Sequence, residues 1–138
     1  MRVLVDTNIL IDWISHRNDH YQNAKEIVQL CAEHRIEGCI AAHSITNMFF
    51  ILRKNVGFKE RNEIFKTLSE IFSIIPIDDL KLSLAVKNEK FTDFEDCLQM
   101  ECAFSFDADY IITRNIEDFS NSRVKAILPQ EYLDNYLN

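Results

Sequence analysis

The first twelve residues, Met1-Arg2-Val3-Leu4-Val5-Asp6-Thr7-Asn8-Ile9-Leu10-Ile11-Asp12, constrain the fold more than any other stretch. Val3, Leu4 and Val5 are β-formers without a polar interruption, the pattern of a strand buried on both faces. The run stops at a carboxylate followed by two helix-capping residues, and then Ile9, Leu10, Trp13 and Ile14 recur at helical spacing. Asp6 is thereby predicted at the carboxyl end of a buried strand. In parallel α/β sheets ligands and catalytic groups gather at that edge, because the loops there hang from a rigid frame and helix N-termini open onto it.

The rest of the chain alternates helix and strand. A helix is predicted over residues 19–34, capped by Asp19, with Ala24, Ile27, Val28, Leu30 and Cys31 inward. A short strand over 37–41 leads into a helix to about residue 54, with Ser44 as its N-cap and Met48, Phe49, Ile51 and Leu52 in the core. Phe50 falls on another face, suited to an interface. A helix over 58–72, a strand over 73–77 and a helix capped by Asp78 follow, the last taking its apolar content from Leu80, Leu82, Leu84, Ala85 and Val86. A helix over 96–106, a buried strand over 109–113, a last strand over 124–128 and a terminal helix opened by Pro129 complete the pattern. Strands separated by helices imply parallel pairing and right-handed crossovers, hence a three-layer α/β/α sandwich around four to five parallel strands.

One domain over residues 1–138 is expected, since 138 residues bury a sizeable core and no Pro- or Gly-rich linker interrupts them. No signal-like segment or apolar run of about 20 residues is present, so a cytoplasmic location without membrane contact is expected. Cys31, Cys39, Cys97 and Cys102 match no zinc spacing and read as buried small hydrophobes. The formal net charge of −7 disfavours a general non-specific DNA coater, which needs a basic surface. It leaves room for a nuclease, because divalent cations in an acidic pocket can meet a phosphodiester directly.

The topology decides which residues meet. The helix leading into the strand over 109–113 runs antiparallel to it, which brings Asp93, Glu95 and Asp96 to the edge where Asp6 lies. Thr113, Arg114, Asn115 and Asp118 follow that strand, and His43, Ser44 and Asn47 follow the strand over 37–41 at the same edge. Asp93 and Glu95 read first as helix caps. Asp6 and Asp96 are predicted to stand together in a partly dry pocket, where like charges repel unless a cation or proton intervenes. Oxygen ligands without a His or Cys cluster favour Mg²⁺ or Mn²⁺.

Three blocks carry a family resemblance: Val5-Asp6-Thr7-Asn8-Ile9-Leu10-Ile11-Asp12, Asp93-Phe94-Glu95-Asp96-Cys97-Leu98-Gln99-Met100, and the stretch 108–119 with Thr113-Arg114-Asn115 and Asp118. In this order they resemble the sequence blocks of the PIN domain, and within it the VapC-like ribonuclease toxins of bacterial toxin–antitoxin systems. The resemblance implies a metal-dependent endoribonuclease in which Asp6, Asp96 and Asp118 hold Mg²⁺ or Mn²⁺, Asn115 completes the catalytic set, and Thr113 orients the ligands. It further implies support from Asn8, an RNA substrate with Arg114 at its margin, and a homodimer built partly from the helices between Ile45 and Phe72. A cognate antitoxin would insert an Arg or Lys among the carboxylates.

One position departs from the family pattern. Where the family carries a glutamate one turn into the helix after the second strand, this chain has Asn47. An amide oxygen still ligates a hard cation, but one negative charge is gone, which Glu95 or Asp93 would have to replace. Two other readings therefore stay open: a catalytically weakened PIN-like RNA- or protein-binding module, and a phosphatase acting on small esters through Asp6. The second usually needs another aspartate two residues on, where Asn8 stands.

Overall fold

Strand β1 (Arg2–Val5) is the centre of the molecule, with Val3, Leu4 and Val5 fully shielded from solvent. A computed structural model describes residues 1–16 and 18–137, with the side chains of all of these except Asn18 and Leu137. Helix α1 (Thr7–Ser15) starts directly after Asp6, and α2 (Tyr21–Ala32) leads to β2 (Glu37–Ala41). Helices α3 (Ala42–Leu52) and α4 (Phe58–Ile71) then lead to β3 (Ser73–Ile75). Helices α5 (Asp79–Lys87) and α6 (Phe94–Ser105), β4 (Tyr110–Ile112), β5 (Lys125–Ile127) and α7 (Pro129–Leu137) complete the chain. The five strands pair in parallel in the order β3-β2-β1-β4-β5.

That order places the candidate site. The chain builds outward from β1 through β2 to β3, then returns to the other side of β1 with β4, so the strand order reverses between β1 and β4. A crevice opens at such a reversal, outside the carboxyl ends of the two strands. Asp6 and Thr113 occupy those ends, and the Asp6 N–H extends the ladder by donating to the Ile112 carbonyl at 3.0 Å.

The two-residue period of the strands divides the core into two halves. Val3, Val5, Ile40, Ile112 and Ile127 face one side, where α1, α2, α3, α4 and α7 pack. Leu4, Cys39, Ala41 and Ile111 face the other, under α5 and α6. The result is the α/β/α sandwich predicted, and the four cysteines are free and buried within it. Among the described residues no helix is long and apolar enough to cross a membrane.

Several local expectations are corrected. Asp19 does not cap α2: it lies in a 3-10 turn over Asn18–His20, which feeds the helix without a side-chain cap. Ser44 is not a cap either, since α3 begins at Ala42 and Ser44 is buried within its first turn, held by a buried partner described below. Ile51 is 46% exposed, outside the core assigned to it, because α3 turns that side toward the crevice. In α5 only Ala85 of the five apolar residues is buried; Leu80, Leu82, Leu84 and Val86 face solvent, while the Lys81 stem lies under the helix with its ammonium on Asp78 at 3.3 Å.

Helices press closely on the sheet at Gly38. A Cβ there would come within 2.7 Å of Cys31 Sγ and 2.8 Å of two Phe72 ring carbons. Gly38→Ala is therefore expected to lower stability by about 1–3 kcal/mol through overpacking, read as a fall in the urea midpoint at unchanged m-value.

Candidate metal centre and active-site cleft

The cleft at the reversal point measures about 370 Å³ and is lined by residues from α1, α3 and α6 and from the loop after β4. Asp6 forms its floor. Its Oδ1 accepts the Thr7 N–H at 2.7 Å and the Gln99 Nε2 at 3.2 Å, and its Oδ2 accepts the Thr113 hydroxyl at 2.8 Å and the Asn8 Nδ2 at 3.4 Å. Four donors from three separated stretches thus fix one carboxylate. Burial raises the Asp6 pKa, outweighing the bonds from Thr113 and Thr7 that favour the charged form.

The fold gives Thr113 its role. It is fully buried at the end of β4, and while its hydroxyl donates to Asp6, the same oxygen accepts the Asn115 N–H at 3.0 Å, which turns the chain so that Asn115 lines the cleft. Among the described residues the Asn8 side chain makes long contacts, to Asp6, to Thr113 Oγ1 at 3.4 Å and from the Arg114 N–H at 3.5 Å. These are the weakest bonds around Asp6, hence the first to yield to an incoming ligand.

Asp96 presents the opposite case. It stands in the first turn of α6, lines the cleft, and accepts no side-chain hydrogen bond among the described residues. Its pKa is pushed up to about 7, first by burial and then by the charges of Asp93, Asp6, Asp118 and Glu95. Asp93 is the N-cap of α6, its Oδ1 accepting the Asp96 N–H at 2.9 Å. Glu95 does not act as a cap: its Oε2 accepts the Asn47 Nδ2 at 3.2 Å, across the mouth between α6 and α3. The two helices are joined again by His43, whose Nε2–H donates to the Glu95 carbonyl at 3.2 Å, and whose pKa is lowered by burial. Asp118 is exposed on the 3-10 turn over Ile116–Phe119 and does not line the cleft, although its charge reaches both Asp6 and Asp96.

Two residues emerge that sequence patterning did not single out. Gln99 is 3% exposed and spans α6, α1 and α3, with Nε2 on Ser44 Oγ at 2.7 Å as well as on Asp6; its Oε1 has no partner among the described residues. Asp12 is 1% exposed and binds the Arg114 guanidinium through two contacts, Nε at 2.6 Å and Nη2 at 3.2 Å. Arg114 therefore stands beside the cleft as half of an ion pair.

The donor set consists of carboxylate and amide oxygens. Among the described residues no group of three His, Cys, Asp or Glu side chains forms a ready-made cage for a metal. Asp6 and Asp96 nevertheless fit a hard divalent cation such as Mg²⁺, which binds through one or two carboxylates and keeps several waters. The burial and the neighbouring charges that lift the Asp96 pKa would both be offset by such a cation.

Comparison with known proteins places the chain. The sequence model of the PIN domain family matches residues 2–117. The chain belongs to the PIN domain family. Among solved structures it is similar to a toxin–antitoxin complex from Klebsiella pneumoniae, at 25% identity and a TM-score of 0.69 over 92% of this chain and 97% of that one. It shares its fold with VapBC2 from Rickettsia felis, solved with a promoter DNA fragment, at 17% identity and a TM-score of 0.66 over 93% and 98% of the two chains. It also shares it with VapC20 from Mycobacterium tuberculosis, a toxin cleaving the sarcin–ricin loop, at 13% identity and a TM-score of 0.62 over 79% and 86%. A comparison with curated protein sequences returns no match.

The raised Asp96 pKa makes a signed prediction for the metal-free protein. A carboxyl whose folded pKa lies above its unfolded value binds more protons when folded, so stability is lost as pH rises from about 4 to about 7. Asp96→Asn removes the charge, and is expected to raise Tm at pH 8 by roughly 3 °C, a figure kept small because the group is partly solvated, with almost no gain at pH 4. Equal gains at both pH values would show that repulsion is not the cause.

Proposed function

We propose that this PIN-domain protein is a metal-dependent endoribonuclease, hydrolysing RNA phosphodiesters as the toxin of a toxin–antitoxin pair. One observation carries the reading: Asp6, ordered by four donors, and Asp96, which accepts no side-chain hydrogen bond among the described residues, face the same cleft at the strand reversal. Bound there, Mg²⁺ or Mn²⁺ supplies Lewis acidity and a lowered pKa for attacking water. The chain's own residues do the positioning. Asp6 is fixed by Thr7, Gln99 and Thr113 and offers the lone pair now loosely covered by Asn8, while Asp96 is free to turn toward the cation. Asn115 lines the wall on which a phosphodiester oxygen would rest, and Asp118 adds negative potential from outside the cleft.

Asn47 and Glu95 act together in this reading. The amide of Asn47 holds one Glu95 oxygen and leaves the carboxylate charge at the cleft mouth, so the charge missing from α3 is supplied from α6. The match to toxin complexes supports a cognate antitoxin as partner, and the exposed Phe50, Ile51 and Phe58 on α3 and α4 supply an apolar face for a homodimer. The same Asn47, together with the lack of a three-carboxylate cage among the described residues, favours as second reading a PIN-like module that binds RNA or protein without cutting.

Cleavage of total RNA with and without Mn²⁺ separates the two. Asp6→Asn or Asp96→Asn is expected to reduce metal-dependent cutting by about 10³-fold or more, with the far-UV circular dichroism retained, and Asn47→Glu to tighten Mn²⁺ binding in calorimetry. RNA retained uncut by the wild type at saturating Mn²⁺ would establish the binding module.

A further inference from the structure

A second cavity lies across Arg114 from the cleft. We propose that it receives one unstacked nucleobase of the RNA strand whose phosphodiester lies at Asp6 and Asp96, an inference that rests on the ribonuclease reading. The cavity measures about 270 Å³ and opens where α1, α2 and the start of α7 meet, with Arg114 lining it and the cleft alike. This is just below the range of pockets that hold drug-sized ligands, so it suits a single ring system rather than a whole nucleotide.

Its walls select a flat, neutral group. Leu128 and Pro129 supply apolar surface at the carboxyl end of β5. Arg114 supplies a guanidinium plane, and the buried Asp12 carboxylate both fixes that plane and balances its charge. A phosphate gains little from a cation already paired in this way, whereas a base stacks on the guanidinium face and covers the apolar wall. Asn23 stands half-buried at the rim, and its carboxamide makes no hydrogen bond among the described residues, leaving a donor and an acceptor side by side for a base edge. The exposed His20 ring lies at the same rim. Sequence-specific RNA recognition rests on such contacts to unstacked bases, so this cavity is assigned as the base-specificity pocket of the enzyme.

Binding in EDTA, where metal-dependent cutting does not intervene, tests the assignment. The probes are four fluorescent homopolymeric RNA dodecamers and an abasic ribose-phosphate dodecamer, read by anisotropy at fixed salt. The wild type is expected to bind one homopolymer about tenfold more tightly than the abasic strand. Asn23→Trp, which fills the cavity, should erase that advantage, and Asn23→Ala, which leaves it open, should keep the advantage over the abasic strand while levelling the four bases. Equal binding of all five strands by the wild type, or a base advantage that survives in Asn23→Trp, overturns the pocket. Loss of affinity on replacing a single phosphate by methylphosphonate, with abasic strands bound as tightly as intact ones, identifies a phosphate site instead and equally overturns it. Base-dependent binding by a protein that never cuts RNA in Mn²⁺ would remove the ribonuclease reading and leave the pocket standing.

Discussion

A buried carboxylate at the end of the central strand is the constraint around which this structure is arranged. Asp6 sits where β1 gives way to α1, and a charge there is tolerable only if its lone pairs are occupied. The chain meets that demand with donors from three places: Thr7 and Asn8 beside it, Thr113 at the end of β4, and Gln99 from α6. Each donor brings its own element to the crevice. Thr113 turns the loop that presents Asn115. Gln99 binds α3 through Ser44 at the same time, a buried tie between the two walls of the cleft that adds to those from Asn47 and His43 to Glu95. Folding of the α/β/α layers and construction of the site are in this sense one event.

The electrostatics of the cleft are asymmetric. Asp6 is solvated by four donors and still raised by burial, whereas Asp96, pushed up to about 7 first by burial and then by the charges of Asp93, Asp6, Asp118 and Glu95, accepts no side-chain hydrogen bond among the described residues. One carboxylate fixed by four donors and one without a side-chain donor among the described residues would offer a bound cation a fixed anchor and a movable arm. The surroundings preserve this imbalance. Arg114, which lines the cleft, is committed to Asp12 and does not collapse onto the acids, and the bond between Asn47 and Glu95 keeps another carboxylate at the mouth without closing it. The overall charge of −7 is thus compatible with a phosphodiester ligand, because a cation held by the carboxylates would supply the attraction within the cleft.

Much of this was legible in the residues. The apolar run ending at Asp6 and the alternation of helix and strand dictate a parallel sheet, and the antiparallel course of α6 that this alternation requires brings Asp96 to the edge. Thr113 and Asn115 follow from their place after a buried strand. What the sequence hid were polar residues in apolar company: Gln99 lies between Leu98 and Met100, and Asp12 between Ile11 and Trp13, so that neither breaks the pattern of its helix. Ser44 and Asp19 misled for the opposite reason, as residues with good capping chemistry in places where the backbone did not need them. In α5 the leucines suggested a buried face, but the helix packs through Ala85 and the Lys81 stem, a distinction that depends on where α6 lies and not on composition.

Anomalous diffraction at the manganese edge from Mn²⁺-soaked crystals tests most directly whether Asp6 and Asp96 together hold a divalent cation. The expected result is a peak bonded to a carboxylate oxygen of each residue at about 2.0–2.3 Å, with Asn8 displaced from Asp6 Oδ2 and with Gln99 and Thr113 still in place. An empty cleft at saturating Mn²⁺, or a cation bound elsewhere while the Asn8 contact to Asp6 persists, would contradict it.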